Sequence, residues 1–297
     1  SADHVDLYTD YSINTPNFNV PNFSVNSVTA YAGNDIYLFN DKAITGDITA
    51  DTLYIKAFGG IDLITKINLL FLENLGSGDV SVKNQGDLVI GKFDVEDGSA
   101  RIESDSKIST QEGAVINAEK LALYAGQGID VVIEAQELSF ENTGDGDVII
   151  ENKGQEELVI TKSDNLGEGD IDIKTDAIRL EGVIKAALGD IRLRPYTIGQ
   201  PVGISDYNQK FNLSFIDVTR LDAGNGKIII GDKNVSRVTI GANEAPVFMN
   251  GQFVEIISGG EIYGFKPITA DKLYFNAMDG IKAEFITDQI EALNERS

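Results

Sequence analysis

The chain has 297 residues, of which 42% are hydrophobic and only 6 are proline, enough apolar content for a large core and too much for general disorder. It carries no cysteine, so a disulfide framework and a thiolate metal site are both excluded. Its net charge of −23 makes nucleic acid and anionic membrane surfaces repulsive partners, and no apolar run reaches the roughly 18 residues of a membrane span.

Residues 1–30 read as an extended N-terminal arm. The stretch "PNFNVPNFSV" at 16–25 writes a five-residue unit twice. Pro16 and Pro21 cannot donate to a strand ladder, and proline confines such a strand to an edge. Phe18, Val20, Phe23 and Val25 are its apolar contacts. Two roles stay open at this point: a cover over the first coil, or an arm that reaches a neighbouring subunit. Either would manage an open sheet edge.

Residues 31–285 are repetitive. The phrase "ADTLYIKAFGGID" at 50–62 returns as "AEKLALYAGQGID" at 118–130 and "ADKLYFNAMDGIK" at 270–282, with a degraded copy, "VTAYAGNDI", at 28–36. Leu53, Leu121 and Leu273 occupy one place in the phrase, and Gly60, Gly128 and Gly280 another. Every second residue between the leucine and the following alanine is apolar, which is strand periodicity. The glycine falls where the chain must turn. Longer segments match as well: "GSGDV" at 76–80 meets "GDGDV" at 144–148, and Asn74 and Asn84 meet Asn142 and Asn152.

Within these repeats, Gly-Asp-apolar steps recur at 46–48, 78–80, 86–88, 146–148, 169–171 and 189–191. Glycine and aspartate suit a corner, and the Val, Ile or Leu that follows begins a side. Whole phrases returning in sequence favour stacked coils over a barrel or sandwich, because only stacking aligns like residues. Coils of about 20–25 residues give about a dozen coils of parallel β-helix, a β-solenoid. Asparagines beside the turns suit amide ladders. Two stretches break the pattern. Residues 195–212, "PYTIGQPVGISDYNQKFN", read as a loop insertion that leaves the body. Residues 286–297 read as a C-terminal cap or tail with a short helix, whose Ile290 and Leu293 face inward.

Three segments together resemble the passenger regions of filamentous-haemagglutinin-like large exoproteins: "GDITADTLYIKAFGGIDL", the "GSGDVSVKNQGDLVIG" that follows, and "LRP" to "NLSFIDVTRLDAGNGKIIIGD" at 193–232. The likeness covers about residues 46–242 and rests on repeat consensus rather than on a site signature. It implies a right-handed parallel β-helix, secreted and displayed on a bacterial cell surface, serving adhesion, biofilm matrix or a surface coat.

The residues offer little chemistry. The single histidine, His4, lies in the arm, which leaves the repeats without a histidine base or triad. Calcium is the one cofactor the sequence suggests, through the turn aspartates Asp79, Asp147 and Asp170; no other cofactor is expected. The double glycine of calcium-binding nonapeptide repeats is missing there, and turn geometry accounts for these aspartates without a metal. Arg192 and Arg194 could meet an acidic sugar, but as alternating strand residues they read as solvent-facing. "GNGKII" at 224–229 lacks the spacing of a phosphate-binding loop.

The expectation is therefore a non-enzymatic extracellular structural protein that self-associates end to end into a surface filament or matrix fibre. The arm residues, Ile290 and Leu293 are the subunit-contact candidates. The alternatives are a monomeric adhesin binding a surface glycan or receptor along its side and, further off, a polysaccharide-degrading β-helix enzyme.

Overall fold

A computed structural model describes residues 2–9, 13–14, 25–32, 35–39, 44–242 and 246–294; side chains are described at Leu38 and from 44 onward, apart from those of 96, 97 and 250. The fold is an all-β parallel β-solenoid of about 12 turns. Among the described residues its one helical element is a 3-10 turn at Asp217–Arg220. The chain divides into two compact units, Ser1–Glu137 and Leu138–Ser297.

In the first unit, the strands Ile44–Thr49, Ile61–Lys66, Val80–Asn84, Ser99–Ser104 and Ile116–Ala125 pair in parallel, each on the next. Their alternation places Ile44, Ile61, Val80, Ala100 and Leu121 in one inward column, and Leu63, Val82, Ile102 and Leu123 in the next. None of these nine side chains is more than 4% exposed. Burying one branched aliphatic side chain contributes about 1.5–3 kcal/mol, so the columns are the main source of cohesion. A second set of strands adds the columns Leu53–Leu70–Ile90 and Ile55–Leu72–Phe93–Ile116.

The repeated phrase encodes a corner rather than a position in a column. Leu53, Leu121 and Leu273 are all buried, and each phrase runs as strand, turn, strand. The turn glycines Gly60, Gly128 and Gly280 have φ of 104°, 122° and 124°, a region that side chains with a Cβ resist. Like phrases do not lie over like phrases, however. Leu53 pairs with Ile36 and Leu70, whereas Leu121 pairs with Ala100. The inward positions accept any apolar residue of suitable size, so sequence identity does not fix which rung lies on which.

The described part of residues 1–30 is not a separate arm. Ala2–Thr9 pairs in parallel with Val25–Ala32, which in turn pairs with Ile44–Thr49, so both strands belong to the ladder. Phe18, Val20 and Phe23 lie outside the described residues, as does the side chain of Val25, whose backbone opens a strand.

In the second unit one column runs Val148, Ile171, Ile191, Ile228, Val254, Leu273 and Ile290. Residues 195–212 are not simply a loop that leaves the body. They contain Val202–Ile204 and open Phe211–Leu213, which pair with each other, and Val202–Ile204 also pairs with Arg237–Ile240. A separate five-stranded sheet continues through Glu261–Gly264 and Gly280–Lys282. Val202, Ile204, Phe211 and Leu213 are fully buried. Each run is too short to show alternation between its flanking prolines and polar residues, which is why the strands were hidden in the sequence.

The C-terminal helix is also replaced. Gln289–Asn294 is a strand paired with residues 272–277. An isolated helix this short has little intrinsic stability, while a strand gains backbone bonds along an existing edge. Ile290 and Leu293 therefore fall on opposite strand faces, Ile290 beside buried Leu273 and Leu293 beside half-buried Asn276.

Candidate functional site

The most elaborated side-chain arrangement in the second unit is built on its Gly-Asp corners. A Cβ added at Gly169 would lie 2.4 Å from the Gly146 carbonyl oxygen, at Gly189 2.1 Å from that of Gly169, and at Gly226 2.2 Å from that of Gly189. Glycine is required there by the close approach of one coil to the next. The aspartates beside these glycines tie the same coils together. Asp147 Oδ1 accepts the Asp170 N–H at 2.9 Å, Asp170 Oδ1 accepts the Asp190 N–H at 2.7 Å, and Asp190 Oδ1 accepts the Lys227 N–H at 2.8 Å.

The calcium candidates thus divide. Asp147 and Asp170 stand one coil apart in this row, and each gives an oxygen to a backbone N–H. Asp79 belongs to the first unit, where its Oδ1 accepts the Ser99 N–H at 3.0 Å. Among the described residues no group of three or more histidine, aspartate and glutamate side chains is arranged to hold a metal ion.

Beside the aspartate row lies a depression of about 120 Å³, lined by Asp147, Asp170, Asp172, Asp190, Arg192 and Ile229. Arg192 is exposed. Arg194 is not available to a ligand. Its Nη2 and Nε donate to Asp172 at 2.8 and 3.0 Å, and its Nη1 donates to Asp232 at 3.4 Å. The Asp172 bonds, with Asp232 adding to them, outweigh burial and raise the Arg194 guanidinium above the ordinary arginine value. This clamp joins three successive coils. In the strand register Arg194 stands opposite Lys174 and reaches Asp172 on the diagonal, so the sequence, which read Arg194 as solvent-facing, pointed neither to this contact nor to the distant Asp232.

The asparagines serve the corners as well. Asn84 Oδ1 accepts the Thr65 hydroxyl at 2.9 Å and the Ile67 N–H at 3.0 Å, and its Nδ2 donates to the Ile67 and Gly86 carbonyls. Asn142 Nδ2 donates to Asn165 Oδ1 at 2.8 Å, one rung of the expected amide ladder. Buried carbonyls at the turns are thereby satisfied without solvent.

The subunit-contact candidates that are described lie at the strand Gln289–Asn294. It pairs with residues 272–277 on one side, and among the described residues no strand pairs with its other edge. Phe285, Ile286, Ile290 and Leu293 are 43%, 61%, 40% and 52% exposed. Sequence reasoning marked Ile290 and Leu293 but missed Phe285 and Ile286, which pair with Ile268 and Thr269.

No protein-family model, curated protein or solved structure matches this chain. Among the described residues no helix is long and apolar enough to cross a membrane.

Proposed function

We propose that this chain is a non-enzymatic structural protein of the bacterial exterior, a right-handed member of the filamentous-haemagglutinin-like group, whose copies join through strand edges into a filament or matrix fibre. The observation that carries the reading is the strand Gln289–Asn294, with one edge unpaired among the described residues and apolar Ile290 exposed on the column that buries Leu273. Unpaired strand edges beside apolar side chains are templates for further strands. The corner aspartates and the Arg194 clamp support the reading, because both are engaged in holding coils together.

Sedimentation and electron microscopy of the purified chain test it. The expected result is concentration-dependent assembly, weakened at least tenfold by Ile290→Lys, since a charge in an apolar contact carries a desolvation cost of about 2 kcal/mol or more. A chain that stays monodisperse at every concentration would overturn the reading in favour of a lateral adhesive module. Exposed Ile198 (80%) and Tyr207 (52%) in the 195–212 segment would then be the surface to probe with glycans.

A further inference from the structure

The strands Val202–Ile204 and Phe211–Leu213 are parallel neighbours, yet only six residues, 205–210, lead from one to the other. Parallel strands usually need a crossover of about a dozen residues or more. The chain starts this return at Ser205, whose φ of 56° makes it the one non-glycine residue in the left-handed region among those described. Its side chain is fully buried, and its hydroxyl has no hydrogen-bond partner. Glycine would relieve both burdens, because it adopts that region freely and brings no hydroxyl to bury. Stability therefore does not explain a serine at this point.

Neighbouring groups hold the strained residue from both sides. The Ile204 carbonyl accepts the Gly241 N–H at 2.8 Å, and the Ser205 N–H donates to the Leu213 carbonyl at 2.7 Å. The Asp206 N–H donates to Asn212 Oδ1 at 2.8 Å. The Asp206 carboxylate, on a residue 2% exposed, accepts the Thr239 hydroxyl on one oxygen and the Asn208 N–H at 3.2 Å on the other. The peptide groups before and after Ser205 are thus both fixed, and the left-handed turn is kept from relaxing.

We propose that Ser205 cuts its own chain at the Ile204–Ser205 bond. Attack of the hydroxyl oxygen on the Ile204 carbonyl carbon closes a five-membered ring, so the nucleophile is already tethered to its target. A hydroxyl without a partner gives up no hydrogen bond to react. The Oγ–C bond forms, the C–N bond breaks, and the hydroxyl proton passes to the Ser205 nitrogen, leaving an ester. The Gly241 N–H donates to the oxygen that becomes negative during the addition. Breaking the C–N bond also releases the φ that the crossover imposes, and the severed loop opens to water. Water then splits the ester. Its oxygen completes the Ile204 carboxyl group, and a proton returns to Ser205 Oγ. The two pieces stay together, because Val202–Ile204 lies between Phe211–Leu213 and Arg237–Ile240 of the second piece.

This self-processing goes beyond the structural role proposed above and does not rest on it. The purified chain is incubated over days at neutral pH, with and without hydroxylamine, which captures esters, and is followed by denaturing electrophoresis and mass spectrometry. The expected products are residues 1–204 and 205–297, formed at a rate independent of protein concentration and eluting together under native conditions. Hydroxylamine is expected to leave a hydroxamate on Ile204. Ser205→Ala is expected to be cut more slowly by roughly a hundredfold or more, the loss that follows from removing a tethered nucleophile. Ser205→Gly accepts the same backbone geometry without the nucleophile, so it is expected to fold and to stay intact. Unfolding the parent in urea is expected to stop the cleavage, since the strain exists only in the folded chain. The proposal is overturned if the parent keeps its intact mass with hydroxylamine present, or if Ser205→Gly or the unfolded parent is cut at the folded parent's rate.

Discussion

Gly189 shows how little room a corner leaves. Any side chain there meets the Gly169 carbonyl oxygen at 2.1 Å, so Gly189→Ala must push two coils apart. Forced overpacking of this kind costs about 1–3 kcal/mol, and a lower urea midpoint at an unchanged m-value is the expected result. Asp190, next to it, adds a bond to Lys227 that depends on the same spacing. At the opposite extreme of tolerance, Glu73 sits between Lys92 and Lys56, with the Lys56 contact at 2.9 Å. Hydrogen bonds from Lys92 first and Lys56 second hold Glu73 below the ordinary glutamate value of 4.5. A depressed folded value means that its contribution is complete above the unfolded value and is lost as pH falls through the folded one. The stability gap between wild type and Glu73→Gln is therefore expected to be constant near neutral pH and to close below about pH 4.5 in acid titrations followed by circular dichroism.

At the scale of elements, the inward columns decide which strands belong together. Leu123 is fully buried and pairs with Ile102, so Leu123→Ala opens a cavity that neighbouring coils cannot fill. The expected loss is about 2–5 kcal/mol in denaturant unfolding, against about 0.5 kcal/mol or less for a substitution at exposed Lys120. The inward faces of these strands were legible in the sequence, because residues alternate at 53–57 and 121–125 and a turn glycine follows each run, but which strand lies on which was not. The corner role of Asp147 and Asp170 was legible from the same repeats. What stayed hidden depends on tertiary pairing. Residues 287–294 satisfy a helical pattern and an alternating one equally well, and the edge of residues 272–277 decides for the strand. Asp217, in the 3-10 turn Asp217–Arg220, accepts the N–H of Leu180 in the strand Ile178–Leu180, 37 residues earlier, a relation that no local period records.

At the scale of the whole molecule, a net charge of −23 is spread over a chain whose carboxylates include stacked corner aspartates one coil apart. Like charges at that spacing repel across a distance shorter than the screening length of about 10 Å at 0.1 M salt. Raising sodium chloride from roughly 0.01 M to 1 M is therefore expected to raise the thermal midpoint, a trend measurable by calorimetry. A flat or falling midpoint would mean that local ion pairs, such as Lys56 with Glu73 and Arg194 with Asp172, already balance the repulsion.

The rung between Ile191 and Ile228 carries one more consequence. Asp190 and Lys227, at the same corner, are 37 residues apart and still bonded, although neighbouring rungs are separated by about twenty. The added length is taken up by the buried strands Val202–Ile204 and Phe211–Leu213 and by the turn Asp217–Arg220, and registry is kept above and below. A coil can therefore grow by building new sequence into the wall instead of shedding it as a loop.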